Sequence, residues 1–302
     1  MIAVIKHYIF LVKKRRFKMK NQRQKRVLAV HDISSVGKCS ITVALPIISA
    51  AGIECSILPT AVLSTHTGGF TNMVCQDLDN IIIPFAKHWK DEDIKFDAFY
   101  SGYLANPAQA DLLIEAYSIV DEDKKALVVV DPVMGDGGKL YPQFGDDMVQ
   151  SMKKLCTISD IFVPNLTEAS YILGVQYPEG DLTMDHVMPM LKAFAEMGPK
   201  QIVITDISTE GDHVGSAFYD VSTGECGFVM NKRIPGYYHG TGDVFASALL
   251  SGLMNDKSLE AATRIATDFT CDSIEHTRQD GTPLRLGVRF EAELGNLASK
   301  LS

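Results

Sequence analysis

The clearest chemical signal in the sequence is a glycine-rich run, His239 to Asp243, that directly precedes a long apolar stretch. The apolar stretch, Val244 to Gly252, predicts a buried helix, so the glycines lie at its start. Two glycines permit a tight turn whose amide N–H groups converge, and the helix dipole adds positive potential there. Asp243 could then take a proton from a hydroxyl while the turn holds a phosphoryl group, or it could only cap the helix. The predicted anion hole consists of Gly240, Thr241 and Gly242.

Carboxylates also follow two other short apolar runs. Asp131 and Asp136 come after a valine-rich run and are interspersed with glycines. Such a loop could lie beside a polyphosphate and hold Mg²⁺ through water, or it could be a solvated turn. Asn165 and Glu168 have the spacing of a capping box at a helix start. Because both segments follow strands, we expect them at the same edge of a parallel sheet, where they could also contact metal-bound water.

Three more segments carry hydroxyl or imidazole groups. Thr60 to Phe70 is a polar stretch with one histidine, and Ser101 to Leu104 adds a tyrosine after another apolar run. A surface loop and a core tyrosine are the simpler interpretations. Ser35 to Ser40 contains Gly-Lys after a strand, but Asp32 and Cys39 stand where a P-loop needs Gly and then Ser or Thr. This segment is therefore not interpreted as a P-loop.

Short β-branched runs alternate with amphipathic stretches from residue 26 onward. Several of these runs are apolar throughout, as strands covered on both faces must be. The pattern predicts an α/β fold with a mainly parallel central sheet, helices on both faces, and ligands beyond the carboxyl ends of the strands. The predicted strands are Val27 to His31, Ile53 to Leu58, Ala98 to Ser101, Leu127 to Asp131, Ile161 to Val163 and Ile202 to Thr205, with a later hairpin of Val214 to Asp220 and Cys226 to Lys232. The predicted crossover helices are Ser40 to Ala51, Pro107 to Val120, Asp146 to Leu155 and Met184 to Glu196.

Charge divides the chain into two parts. Residues 1–26 contain ten Lys or Arg and no acidic residue, which leaves 19 of the 29 basic residues against all 37 acidic ones, a net charge of −18 for the rest. A domain with this negative charge would repel nucleic acid. We interpret residues 1–26 as a disordered basic extension, with Met19 as an alternative start, and residues 27–302 as one domain. A tail that contacts an anionic surface is the alternative.

Composition excludes several functional classes. Hydrophobic residues make up 46% and charged residues 22%, which is typical of a globular protein. The longest apolar runs fall far short of the roughly 20 residues that span a bilayer. The six cysteines form no CxxC pair, which predicts reduced thiols, no zinc site and a cytoplasmic location. No GxGxxG follows the first strand, which argues against a nicotinamide-dependent dehydrogenase. We expect small molecules as partners, and neither nucleic acid nor a membrane.

Taken together, the motifs resemble the ribokinase-like superfamily and, within it, the pyridoxal (vitamin B6) kinases. The resemblance covers nearly the whole of residues 27–290, in order. GTGD is typical of the superfamily, whereas the other motifs point to the vitamin B6 branch. The motifs are Ser64 to Gly68, Ser101 to Tyr103, Asp131 to Gly135, Pro164 to Glu168 and Gly240 to Asp243.

This resemblance implies ATP-dependent phosphorylation of the 5′-hydroxymethyl group of pyridoxal, pyridoxine or pyridoxamine. It implies Asp243 as the base, and Thr67 and Tyr103 as walls of the pyridine pocket. ATP and Mg²⁺ would be the cofactors, a monovalent cation such as K⁺ an optional one, and the protein a homodimer. The implied ATP or phosphate ligands are Asp131, Asp136, Asn165 and Thr205, and the implied metal ligands are Asp131, Asp136 and Glu168.

Two positions depart from the vitamin B6 pattern. Asp32 stands where a serine commonly contacts the ring substrate, and Leu63 stands where an aromatic side chain commonly stacks on it. The Asp32 carboxylate would pair with a ring nitrogen or a hydroxyl, or would only turn the chain. The nearest rival is a hydroxymethylpyrimidine kinase of thiamine synthesis, which often has cysteine in place of Asp243. A catalytically silent ligand-binding or regulatory protein with this fold is a further alternative.

Overall fold

The strands and helices come from a computed structural model, which describes residues 23–302. The strands are β1 (Arg26–Ser34), β2 (Glu54–Leu63), β3 (Cys75–Asp77), β4 (Ala98–Ser101), β5 (Leu127–Val130), β6 (Gly135–Asp136), β7 (Lys139–Leu140), β8 (Ile161–Phe162), β9 (Gln201–Thr209), β10 (His213–Asp220) and β11 (Cys226–Lys232). The helices are α1 (Ile41–Ala50), α2 (Asp79–Asp91), α3 (Ala108–Val120), α4 (Asp146–Ile158), α5 (Leu166–Leu173), α6 (Met184–Met197), α7 (Thr241–Met254), α8 (Leu259–Asp280) and α9 (Leu294–Leu301). Two 3₁₀ turns, Leu284–Leu286 and Phe290–Glu293, lie between α8 and α9.

Nine of the strands form one sheet in the order β11-β10-β9-β8-β5-β4-β1-β2-β3. The six central strands from β9 to β2 run parallel, whereas β3 and the β10–β11 pair are antiparallel. The remaining two strands, β6 and β7, form a separate small hairpin after β5. The loops after β1, β4, β5 and β8 therefore emerge at one edge of the sheet, which is where ligands bind in folds of this class.

Alternate residues of the central strands face two separate cores. Leu28 and Val30 of β1 belong to the core that α2 to α6 cover, and Val27 and Ala29 belong to the core that α1, α7, α8 and α9 cover. Because successive side chains of a strand point to opposite faces, a strand buried on both sides must be apolar at every position. The predicted α/β class, with a parallel sheet between two helical layers, is confirmed.

The structure differs from the predicted elements in several places, three of which bear on the site or on a helical layer. β1 continues to Ser34, so Asp32 lies inside the strand and not in a turn after it. β2 continues to Leu63, so the start of the predicted polar segment, Thr60, is a buried strand residue. α2 was not predicted, because it contains a proline and buries only Ile82 and Ala86.

Contacts with the domain predicted at residues 27–302 begin before its predicted boundary at residue 27. Arg23 forms an ion pair of 2.6 Å with Asp97, and Lys25 Nζ donates to the Met254 carbonyl at 2.5 Å. Arg26 is already part of β1. The predicted extension otherwise lies outside the described residues. Across residues 23–302, no helix combines the length and the apolar character needed to cross a membrane.

Candidate active site

Twelve residues were predicted to have a catalytic, substrate-binding, phosphate-binding or metal-binding role. All twelve line one cleft of about 720 Å³ at the carboxyl edge of the parallel strands. The cleft has two ends because of the strand order. The loops after β1 and β2 form one end, and β10, β11 and α8 form the other. Asp243 lies on α7 between them. After the roles that the resemblance implies, we name the first end the substrate end and the second the nucleotide end.

The glycine-rich run forms the predicted turn at the start of α7. Gly240 has a φ of 77°, and a Cβ atom on it would lie 2.1 Å from the carbonyl oxygen of Lys38, so only glycine fits. The backbone N–H groups of Thr241, Gly242 and Asp243 have no protein partner among residues 23–302. Thr241, Gly242 and Asp243 all line the cleft, and a Cβ on Gly242 would meet no atom within 4 Å, so the turn borders open space. The turn thus has the donors, the dipole and the room that an anion needs.

Asp243 is nearly enclosed, with 13% of its side chain exposed. Burial raises its pKa to about 7, the negative charge of Asp32 acts in the same direction, and a hydrogen bond from the Ser40 backbone acts against them. A carboxyl group with a pKa near the working pH is suited to accept and release a proton. This geometry agrees with the predicted role as a base and exceeds what a helix cap requires.

Asp131 and Glu168 are buried carboxyl groups that face the same cleft. Burial raises the pKa of both, and their neighbouring charges add to the effect. Glu168 completes a true capping box with Asn165, and its second role is to accept the Met134 amide at 3.1 Å. The carboxylate of Asp131 has no hydrogen bond or ion pair within the described chain, so it is available to a ligand.

Asp136 and Thr205 lie further toward the nucleotide end. Asp136 accepts a hydrogen bond of 2.6 Å from the hydroxyl of Tyr237 and one of 2.7 Å from the Gly137 amide. Thr205 does not end its strand, as the sequence suggested, because β9 continues to Thr209. Its backbone pairs with Asn165, which brings the two predicted phosphate ligands side by side. In residues 23–302, no group of three or more His, Cys, Asp or Glu side chains is arranged as a metal cage.

The substrate end contains Asp32, Thr67 and Tyr103. Tyr103 is 9% exposed, and its ring centroid lies 5.7 Å from that of Phe144. Thr67 is exposed at the mouth of the cleft. Asp32 is 2% exposed, and burial raises its pKa despite two hydroxyl donors. Leu63, which stands where an aromatic side chain is common in the vitamin B6 pattern, also lines this end.

The loops at the substrate end are held from behind by the segment after α8. The amide of Lys38 donates to the carbonyl of Leu286 at 3.1 Å. His66 Nδ1 accepts from the Gly68 amide, so its Nε2 atom donates to the carbonyl of Arg285 at 2.6 Å. We call this arrangement the C-terminal clasp. The clasp holds the loop after β1 through Lys38 and the loop after β2 through His66.

Sequence reasoning missed several residues of the cleft. Asp206 has a φ of 61° and a pKa raised to about 6, chiefly by burial and then by Asp136. Arg233 lies beside it, with its Nε atom 3.3 Å from Asp212. Tyr237 also lines the cleft, and its hydroxyl donates to Asp136 there. No motif marks these residues, whereas Ser40 and His239 stood within segments that had been singled out.

Comparison with known proteins identifies the family. The model of the family described as phosphomethylpyrimidine kinase matches residues 41–284. The chain belongs to this kinase family. A candidate phosphomethylpyrimidine kinase from Bacteroides thetaiotaomicron, solved in a form with pyridoxal, is 35% identical, with a TM-score of 0.85 over 91% of this chain and 96% of that one.

Two further relatives are pyridoxal kinases. The structure of pyridoxal kinase from Lactobacillus plantarum is 30% identical, with a TM-score of 0.83 over 92% of this chain and 98% of that one. Pyridoxal kinase PdxY of Histophilus somni is 26% identical over 250 residues, which is 76% of this chain and 81% of the relative. The predicted membership among the vitamin B6 kinases of the ribokinase-like superfamily is thereby confirmed, as is the class of phosphotransferases that act on an alcohol group.

Proposed function

We propose that this kinase transfers the γ-phosphoryl group of ATP to the 5′-hydroxymethyl group of pyridoxal, pyridoxine or pyridoxamine. The observation that carries the proposal is the position of Asp243. Its carboxylate, with a pKa of about 7, lies beside three unpartnered amides at the start of α7, in a cleft that extends to both sides of it. A relative of the same fold was solved with pyridoxal.

In the proposed reaction Asp243 accepts the proton of the substrate hydroxyl as its oxygen attacks the γ-phosphorus. A new O–P bond forms, the bond to the bridging β,γ-oxygen breaks, and ADP leaves with that electron pair. The amides of Thr241, Gly242 and Asp243 donate hydrogen bonds to the phosphoryl oxygens, where negative charge is held. Positioning and charge compensation are the main contributions of the protein, because phosphoryl transfer needs little other chemistry from it.

The nucleotide end fits ATP with Mg²⁺. Mg²⁺ is usually held by one or two protein carboxylates together with substrate phosphates and water. The unpartnered carboxylate of Asp131 supplies such a ligand, and Asp136 and Glu168 lie in the same cleft to hold its water. Mg²⁺ bound there would neutralise charge on the phosphates. Asn165 and Thr205, joined through their backbones, are the proposed polar contacts to the phosphate chain.

At the other end, Thr67 and Tyr103 are the proposed walls of the pyridine pocket, with Leu63 in place of a stacking ring. A homodimer in the cytoplasm, with a monovalent cation as an optional ligand, completes the proposal. Light scattering at micromolar concentration would test the dimer, and a monomer of 33.1 kDa would contradict it.

The rival is a hydroxymethylpyrimidine kinase, which the name of the family itself favours. The two activities use the same chemistry on different rings. Initial rates of ADP formation with pyridoxal, pyridoxine, pyridoxamine and hydroxymethylpyrimidine, at one ATP and Mg²⁺ concentration, separate them. A higher kcat/KM for a B6 vitamer supports the proposal, whereas a higher value for the pyrimidine supports the rival. No transfer to any of the four would contradict both.

A further inference from the structure

The ring of His239 packs against the backbone of the loop after β2. A Cβ atom on Gly68 would lie 2.4 Å from Cε1 and 2.5 Å from Nδ1 of His239, and one on Gly69 would lie 3.4 Å from its Nε2 atom. The φ of Gly68 lies outside the left-handed region, so the imidazole ring, and not the backbone conformation, excludes a side chain there. Residue 68 therefore has to be glycine as long as His239 occupies this position.

The same ring also meets His66, on the other side of Thr67. The centroids of the two imidazole rings lie 5.1 Å apart. His66 is itself held, since its ring bonds to the Gly68 amide and to the Arg285 carbonyl. Thr67 is the proposed wall of the substrate pocket, and both of its neighbours in the chain lie against His239. His239 thus contacts this loop at the point where the loop borders the substrate.

The main chain connects His239 to the predicted anion hole. His239 directly precedes Gly240, which packs against the carbonyl of Lys38. The Thr241 hydroxyl donates to the Tyr238 carbonyl at 3.2 Å, so the residue before His239 is also bonded to the turn. The backbone of His239 is therefore fixed relative to the start of α7.

The contacts of the His239 ring are packing contacts. Its other neighbour is Tyr237, whose ring it meets edge-on with 5.0 Å between the centroids. Burial and then the charge of His66 lower the pKa of His239, whereas Asp136 acts in the opposite direction, so the ring is neutral at neutral pH. Within residues 23–302 its nitrogens form no hydrogen bond. The ring therefore holds its neighbours by its shape and not by a charge or a donor.

Two separate elements must be aligned for phosphoryl transfer. The substrate hydroxyl lies against the loop after β2 and the transferred group against the start of α7, and an error of about 1 Å in such an alignment can cost about a hundredfold in rate. We propose that His239 is a positioning residue, which sets the separation of these two elements by packing against Gly68. This inference rests on the proposed phosphoryl transfer, and it applies to a pyridine and to a pyrimidine substrate alike.

A double-mutant cycle of Gly68→Ala and His239→Ala tests the contact. In the wild type the new methyl group meets the ring, so the two elements move apart and kcat should fall about 30-fold. His239→Ala removes the ring and its restraint, so kcat should fall about tenfold. In the His239→Ala background the methyl group no longer meets the ring, so Gly68→Ala should cost less than about twofold. KM for ATP should stay within about twofold in all three variants, because only the alignment changes.

Two further variants separate packing from hydrogen bonding. His239→Phe keeps a flat ring without a polar atom, so kcat should stay within about fivefold of the wild type. His239→Asn keeps a polar group near the position of Nδ1 but no ring, so kcat should fall as far as in His239→Ala. The reverse order, with an active asparagine variant and an inactive phenylalanine variant, would overturn the proposal, because His239 would then act through a hydrogen bond or a proton.

Gly227→Ala is the matched control, since its Cβ atom would lie 3.1 Å from the ring of Phe218, and neither residue lines the cleft. It should lower the melting temperature and leave kcat unchanged. The Gly68–His239 cycle is also measured in melting temperature, which needs no turnover. Equal losses from Gly68→Ala with and without the His239 ring, in either measurement, would overturn the proposal. A wild type that prefers the pyrimidine would contradict the proposed function alone, because the cycle is then measured with that substrate.

Discussion

His31 lies directly behind the candidate base, with its Nδ1 atom 4.0 Å from Oδ1 of Asp243. The ring is fully buried and meets Tyr100 edge-on, with 4.4 Å between the ring centroids. Neither ring nitrogen has a hydrogen-bond partner within residues 23–302. Because burial lowers the pKa of His31 to about 3, the ring carries no charge that could neutralise Asp243 at neutral pH.

Replacement of His31 should change the pH dependence of stability. The pKa of His31 is lower in the folded chain, about 3, than the ordinary 6.5. The unfolded chain therefore binds the extra proton as the pH falls below 6.5, and the wild type loses stability there. His31→Leu removes this loss, and it also removes two unpartnered nitrogens. The melting temperature of His31→Leu minus that of the wild type should therefore increase as the pH falls from 7 to 5. His88→Leu, at an exposed position, is the control, and a constant difference would contradict the prediction.

Asp243→Asn should abolish most of the activity and leave the fold intact. Loss of a general base usually costs two to four orders of magnitude in kcat. Turnover should fall by about that factor, while ATP binding measured by calorimetry stays within a few-fold of the wild type. Near-normal turnover in a folded variant would remove Asp243 from the role of base.

The same variant should gain stability relative to the wild type as the pH rises from 4 to 7.5. The pKa of Asp243 is about 7 in the folded chain against the ordinary 3.8, so the folded state binds more protons between these values. Wild-type stability is therefore lost as the pH rises through this window, whereas the asparagine has no proton to lose. The melting temperature of Asp243→Asn minus that of the wild type should grow from pH 4 to pH 7.5. If this difference shrinks as the pH rises, the loss of the proton from Asp243 does not destabilise the folded protein, and the prediction is wrong.

Gly102 should tolerate no side chain because of His31. A Cβ atom at this position would lie 2.3 Å from His31 Nδ1, and the buried ring has no room to move. Gly102→Ala is expected to destabilise the protein by about 1–3 kcal/mol in urea unfolding. Gly295→Ala is the control, since no atom lies within 4 Å of its Cβ position on α9. Equal stability of the two variants would refute the steric argument.

Tyr237 should compete with Mg²⁺ for Asp136. Its hydroxyl donates to Oδ2 of Asp136 at 2.6 Å, so a cation or its water must replace that bond. Tyr237→Phe should lower the Mg²⁺ concentration for half-maximal ADP formation about two- to twelvefold, because the lost hydrogen bond is worth about 0.5–1.5 kcal/mol. Tyr171→Phe, at an exposed position on α5, should leave this value unchanged. An increased Mg²⁺ requirement in Tyr237→Phe would mean that the tyrosine assists the cation.

The sequence alone was enough to predict the parallel strands and the edge of the sheet at which the motif residues lie. Val27 to Val30 is apolar at every position, which is typical only of a strand covered on both faces, and the residues after such strands must meet at one edge. Asp131, Asn165 and Glu168 were brought into one cleft by that rule alone.

What the sequence could not predict depends on contacts between distant residues. Thr60 looks like a loop residue, but its hydroxyl donates to the Tyr103 carbonyl and its own carbonyl accepts from Gln109. These partners satisfy the polar groups and allow a threonine inside a buried strand. Tyr237 and Asp136 are 101 residues apart, and no local pattern marks a pair at that separation. Ser40 likewise has a φ of 58°, which is uncommon for a residue other than glycine, and no pattern in the sequence marks it.

The C-terminal clasp also has a consequence for synthesis on the ribosome. The loops after β1 and β2 depend on the carbonyls of Arg285 and Leu286, which are made more than 200 residues after Lys38 and His66. A nascent chain folds from its beginning, so the sheet can form while these loops still lack their support. The strands of the growing polypeptide could therefore pair before the cleft is complete, and an incomplete translation product that ends before Arg285 would lack both the clasp and α9, which covers one of the two cores.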